Sequence, residues 1–484
     1  MAVRIRPASI PTAPSSFGLL SGYVFAINTV VGAGFLSLPW AYAKGGWALS
    51  LGLQSVCMAV GWLLSLLQLE VLSRVEALYR LREAGHYIQR PGLRQLLGRK
   101  DYYAGEPLLL SSLEPEITHR RFDLIEVVRL LLGKQFTVVY IIALCLYTTG
   151  ALTAYSSIFS ASFASNVPLG VAGSCDIYAD PEFAGDCRWK YWVYLSVYAV
   201  FMVYFTLAGL REQLWMQYIM TTMRFAVMTV VISTCAYSIL THTSLSSEEH
   251  NSAELPAAAQ PRALGRALPI ILFAVLYQVQ LPSLIEHLSD KRKNAPRVAA
   301  MTAATSYLFY ALLGLLVPTA IPNVAGQSTL SYRHYSAGYA ASQRPIWTYI
   351  IEYLVVIFPA LDVFSSFPLN AIPLSDNLMT LVYGSVPKTA IPLKSYYVLK
   401  LVACLPALCV AALEFNLGEV LEWTGLLGFF LVLFTIPLCQ IAGRKMLPVS
   451  SQYDVIWWPL WLSWVLSLLQ VPIVLTIVVL NLTR

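Results

Sequence analysis

Charge is what this sequence has least of. Only 12% of its 484 residues are Asp, Glu, Lys or Arg, against 57% that are apolar, where a soluble globular chain carries about 25% charged residues. So little charge excludes an ordinary water-soluble enzyme, and so many apolar residues exclude intrinsic disorder. Cysteine is sparse as well, and 8 in a chain of this length do not make a disulfide scaffold. The 6 histidines are dispersed. There is no Walker, zincin, Gly-x-Ser-x-Gly or paired Cys-x-x-Cys motif, so a metal-dependent membrane enzyme has no support. The net charge is +6, yet Lys and Arg lie between apolar runs rather than in a basic domain, which excludes a nucleic-acid partner.

What is present is apolar sequence in long pieces. Eleven runs stand out: Phe17–Ala43, Trp47–Leu72, Gln135–Ala164, Trp189–Gly209, Gln213–Leu240, Ala267–Leu284, Val298–Ile321, Trp347–Pro373, Lys394–Leu413, Val420–Ile441 and Ile456–Leu480. A spanning helix needs roughly 20 such residues. The runs lack the alternation of barrel strands, and only helices or closed barrels cross lipid. The expectation is an all-α polytopic membrane protein with eleven transmembrane helices in contact with the bilayer. The first run is longer than a signal-peptide core and is interrupted by Asn28, Gly32, Gly34 and Pro39, so it is expected to remain as a helix. The chain reads as one transmembrane unit, 17–484, behind a tail, 1–16.

Orientation follows from the basic residues. With the N-terminus in the cytosol, 23 of the 32 Lys and Arg fall on the cytosolic side and 8 on the other. A polar, basic segment, 73–122, is then a long cytosolic loop. Cys175 and Cys187 fall in an exoplasmic loop, where an oxidising environment favours a bond between them. The other cysteines lie in apolar runs as small fillers. The membrane is the plasma membrane or an endolysosomal or vacuolar one, and Glu106-Pro-Leu-Leu-Leu110 is similar to a dileucine sorting signal.

Three runs are interrupted where lipid would punish it. The first reads Asn28-Thr-Val-Val-Gly32-Ala-Gly34-Phe-Leu-Ser-Leu-Pro39. Packing alone favours small residues four apart, and Gly32 and Gly34 are two apart. An unwound segment is expected there, presenting backbone amides and half-helix dipoles to a ligand. The sixth run carries Tyr277, Gln278, Gln280 and Pro282, and the proline removes an amide from the helix ladder. Discontinuous helices in runs one and six, five apart, are the signature of inverted-repeat transporters. The eighth run holds Asp362, Ser365 and Ser366 on one helix face. An intramembrane carboxylate is costly and usually functional, and hydroxyls with carbonyls suit an alkali cation. The same serines can instead bond back to their own helix. Arg224 in the fifth run either pairs with Asp362 or extends its head to the interface.

At these residues the chain resembles the amino acid/auxin permease family, which includes the sodium-coupled neutral amino acid transporters. The likeness covers roughly 17–480. It rests on Asn28…Gly32-Ala33-Gly34…Leu38-Pro39-Trp40-Ala41, on Phe122-Asp-Leu…Leu132-Gly133-Lys134, on Met223-Arg224, on Leu281-Pro282-Ser283-Leu284 followed by Lys291-Arg292, and on Phe358-Pro359…Ser365-Ser366-Phe367-Pro368. The resemblance implies the fold of the sodium-coupled leucine transporter, two inverted five-helix repeats and an eleventh helix. It implies substrate binding at Val31, Gly32, Ala33, Gly34 and Phe35 and at Tyr277, Gln278 and Gln280. It also implies a sodium ion at Asn28, Val31, Ser365 and Ser366 with Asp362 nearby. A carboxylate at Asp362 departs from the family pattern, and could take a proton or pair with Arg224 instead.

The function expected is secondary active transport of neutral amino acids by alternating access, coupled to sodium or protons. The alternative is a membrane sensor that binds an amino acid with little flux. No enzyme activity is expected, and no cofactor other than sodium.

Overall fold

The computed structural model describes residues 18–83, 115–117, 122, 124–167, 184–208, 214–245, 257–286, 288–333, 335–340, 343–383 and 391–482. Among these residues the structure is helical, with no β-strand. In chain order the helices are α1 (Leu19–Val30), α2 (Gly34–Gly45), α3 (Trp47–Glu83), α4 (Leu124–Leu131), α5 (Gly133–Asn166), α6 (Ala184–Ala208), α7 (Leu214–Thr241), α8 (Leu264–Val275), α9 (Leu281–Glu286), α10 (Lys291–Ala320), α11 (Ile346–Tyr383), α12 (Leu393–Ala411), α13 (Leu417–Gly428), α14 (Thr435–Met446) and α15 (Leu460–Leu482). A π turn, Phe429–Phe434, joins α13 to α14 into one rod.

Among the described residues, nine rods are long and apolar enough to cross a membrane, and the bent pair α1–α2 makes a tenth. The remaining run expected from the sequence is the pair α8–α9, broken over 276–280, neither half long enough to cross alone. The two interruptions therefore fall in the first and sixth runs. Large exposed side chains such as Val200, Leu240, Ile346 and Leu468 coat the outside, as lipid contact requires.

The boundary expected at residue 73 is wrong. Helix α3 continues to Glu83, and Arg74 and Glu76 are buried. The charges that read as a loop are neutralised inside the protein. Arg444 grips the fully buried Glu70 at 2.5 and 2.8 Å, and Gln440 adds a bond at 3.0 Å. Arg74 reaches Asp454 at 2.5 Å and the carbonyls of Leu447 and Val449 at 2.7 Å each. This network locks the end of α3 to α14 and its exit turn. Buried charges persist only when paired in this way.

At the opposite end, 321–333 and 335–340 fold across the helix tips. Ser37 of α2 donates to the Gly326 carbonyl at 2.6 Å, and Gln327 to Ser162 of α5 at 2.8 Å. The hydroxyls of Tyr332 and Thr234 of α7 are 2.7 Å apart. Cys187 is disulfide-bonded. The other described cysteines are free, and Cys175 lies outside the described residues.

Candidate functional site: two broken helices around one cavity

The first break is short. The Val31 amide still reaches the Ile27 carbonyl at 2.8 Å, and the Gly32 amide turns back to Val30 at 2.9 Å. There the ladder stops, and the next helix starts at Gly34 with a 50° change of direction. Side chains from other helices take the freed carbonyls. The Tyr310 hydroxyl donates to Val30 at 2.9 Å, and Arg224 donates to Asn28 at 3.1 Å. Phe35, expected in the unwound part, is already inside α2.

The second break is held by glutamines. The Tyr277 amide donates to the side-chain oxygen of Gln278 at 3.0 Å, and the Gln278 amide group donates to the Gly61 carbonyl at 2.8 Å. Pro282 has no N–H to offer the Gln278 carbonyl four residues back, and Gln68 of α3 supplies one at 2.9 Å. The hydroxyls of Ser65 and Tyr277 bond at 2.8 Å. Gln278 is thus a brace between the broken helix and α3.

The breaks meet at a cavity of about 30 Å³, room for about two waters. Gly32, Ala33 and Gly34 line it from one side, and Tyr277 and Gln280 from the other. Val31, Phe35 and Gln278 are buried beside it rather than on its wall. The two glycines differ in role. A Cβ on Gly34 would lie 2.5 Å from the Cα of Ala274, so Gly34 lets α2 cross α8 closely. A Cβ on Gly32 would lie 3.3 Å from the Tyr155 hydroxyl, on the cavity side.

The remaining wall comes from residues that sequence reasoning missed. Tyr155 and Asn370 bring polar groups, and Tyr147, Ala151, Phe273 and Leu276 bring apolar surface. Gln280 donates to Asn370. Asn370 in turn donates to the Ser366 carbonyl at 3.0 Å, with the Tyr155 hydroxyl at 3.5 Å. Among the described residues, no charged side chain lines the cavity. The first amides of α2 and the last carbonyls of α8 have no intrahelical partner, so the breaks offer both amide donors and carbonyl acceptors to a ligand.

Of the residues expected to hold sodium, Asn28, Asp362 and Ser366 bond to neighbouring protein groups. Arg224 pairs with the Asp362 carboxylate, and both side chains are 3% exposed. The same guanidinium donates to the Asn28 side-chain oxygen at 2.9 Å, an atom that also accepts from Thr221 at 2.7 Å. Ser366 donates to the Asp362 carbonyl at 3.1 Å, bonding back along its own helix. The side chain of Ser365 lies outside the described residues.

Residues 16–465 match the profile of a family described as "Transmembrane amino acid transporter protein". The chain belongs to the transmembrane amino acid transporter family. It is 22% identical over 442 residues to mouse transmembrane protein 104, covering 86% of this chain and 85% of that one. It is 21% identical over 462 residues to the Drosophila melanogaster homologue, covering 88% of each. With the Caenorhabditis briggsae homologue it shares 23% over 374 residues, 76% of this chain and 70% of that one. The motifs read from the sequence point, within the family, to this transmembrane protein 104 branch. Family members are transporters rather than enzymes, and the multi-pass helical architecture agrees with that membership.

Proposed function

We propose that the protein carries neutral amino acids across a membrane by alternating access, holding the substrate where the two broken helices meet. The observation that carries this reading is the cavity itself. Its wall carries the Tyr155 hydroxyl and the carboxamides of Gln280 and Asn370, with freed amides at the start of α2 and freed carbonyls at the end of α8. A carboxylate suits the amides and an ammonium group the carbonyls. Among the described residues no charged side chain lines the cavity to recognise an acidic or basic substrate side chain, and the Tyr147, Ala151 and Phe273 side favours a small apolar one.

The cavity is too small for any amino acid as it stands, so loading requires its walls to part. Breaks in the first and sixth runs, five apart, support two inverted repeats that rock about the site. The moving parts are then α1, α7, α8–α9 and α11. The excess of Lys and Arg on the N-terminal side supports a cytosolic N-terminus.

The test is uptake of labelled amino acids into vesicles reconstituted with the full chain. Accumulation of neutral amino acids, competed by one another and not by glutamate or lysine, is expected. Saturable binding without accumulation would make the protein a sensor, and accumulation of charged amino acids alone would overturn the neutral assignment.

A further inference from the structure

The family resemblance calls for a sodium ion between the first and eighth runs, and the Asn28, Asp362 and Ser366 groups named for it are already bonded to protein. We infer that the guanidinium of Arg224 is the cation at that junction, and that this protein neither binds nor consumes sodium there. The inference rests on the transport reading for its consequence and on geometry alone for its substance.

The geometry covers the described ligand side chains in turn. The Asn28 side-chain oxygen accepts from Arg224 at 2.9 Å and from Thr221 at 2.7 Å. The Asn28 carbonyl, released by the break that follows α1, accepts from the same guanidinium nitrogen at 3.1 Å. The Asp362 carboxylate accepts from the other nitrogen. The Ser366 hydroxyl is turned to the Asp362 carbonyl at 3.1 Å. A sodium ion needs these oxygens to converge on one bare point, and N–H groups already point at three of them. It would also stand within a hydrogen-bond length of a second positive charge, in a region shielded from water, where like charges repel strongly. The carbonyl end of α1 carries the negative pole of its dipole, so the guanidinium satisfies the helix end, the asparagine and the aspartate together.

The chemical consequence is a cation that cannot leave. A sodium site fills and empties with each cycle and changes the carrier's charge. A tethered guanidinium leaves that charge constant, and a zwitterionic substrate adds none. Uptake should then be indifferent to a sodium gradient.

The test reads binding first, without needing a substrate. Thermal unfolding of the purified full chain is followed in sodium chloride and in choline chloride at equal ionic strength. Wild type and Arg224→Lys, which keeps a tethered cation, are expected to unfold at the same midpoint in both salts. Arg224→Ala leaves Asp362 and the Asn28 oxygens around an open space, and sodium is expected to raise its midpoint saturably, as a ligand of the native state does. A saturable sodium shift in wild type would overturn the inference whether or not Arg224→Ala folds. So would a folded Arg224→Ala that ignores sodium. Uptake that is driven by a sodium gradient would overturn it while leaving the transport reading intact. Absence of uptake for every amino acid would sink that reading and leave the sodium result standing.

Discussion

Asp362 and Asn370 lie two turns apart on one face of α11, and each is tied to a different broken helix. Asp362 holds Arg224, which grips the end of α1, and Asn370 holds Gln280 in the second break. Ser366, midway between them, donates to the Asp362 carbonyl and accepts from Asn370 through its own. The polar stripe 362–366–370 therefore joins the two interruptions through a single helix.

Cutting that stripe at its substrate end should weaken binding without unfolding the protein. Asn370→Ala removes one hydrogen bond to Gln280, worth about 0.5–1.5 kcal/mol. The concentration giving half-maximal uptake is expected to rise about threefold to tenfold. An unchanged value in a well-folded variant would remove Asn370 from the site.

The two glycines of the first break should fail in different ways. Gly34→Ala pushes a methyl group against the backbone of Ala274, and overpacking of this kind costs about 1–3 kcal/mol. It should lower the unfolding midpoint. Gly32→Ala meets the Tyr155 hydroxyl at 3.3 Å, so it should keep the midpoint and reduce uptake. Equal stability for the two variants would contradict this division.

Gln278→Ala is expected to destabilise rather than to change specificity. It strips the Tyr277 amide of its acceptor, at about 1–3 kcal/mol for a buried group left unpaired, and leaves the Gly61 carbonyl with Ser65 alone of its two side-chain donors. The variant should unfold at a lower temperature and keep the wild-type order of preference among competing amino acids. A changed order would return Gln278 to the substrate wall.

Glu70→Ala should be the most damaging of the scaffold changes. It leaves Arg444 without its carboxylate, and breaking a buried pair costs about 3–5 kcal/mol. A poor yield of folded protein is expected, with partial recovery in Glu70→Ala combined with Arg444→Met. Normal stability of the single variant would show that the network carries little.

Much of this was legible in the sequence because lipid makes irregularity conspicuous. Asn28, Gly32, Tyr277 and Pro282 interrupt runs that would otherwise be featureless, and both breaks are where those residues stand. Asp362 and Arg224 stood out as charges inside apolar runs, and that they pair with each other needed three dimensions to see. Tyr155 and Asn370 gave no signal, because a tyrosine or an asparagine in a spanning helix is ordinary until its neighbours are known. Gln278 and Gln280 are indistinguishable by type, and the helix direction at the break sends one to α3 and the other to the cavity. The helical reading of 73–83 was hidden because Arg74 finds its partner at Asp454, on a turn almost at the other end of the chain.

The π turn at Phe429–Phe434 has a consequence for phase. A π turn contains one residue more than the α-helix it interrupts, and one residue advances a helix by about 100° around its axis. Before the turn the rod faces α8, where Gly425 sits so close that a Cβ would meet the Pro269 carbonyl. After it the rod faces α3, where Gln440 and Arg444 find Glu70. Without the extra residue a straight rod could serve α8 or α3 but not both. Deleting one residue from Phe429–Phe434 would swing Gln440 and Arg444 a quarter-turn away from their carboxylate while leaving Gly425 in place.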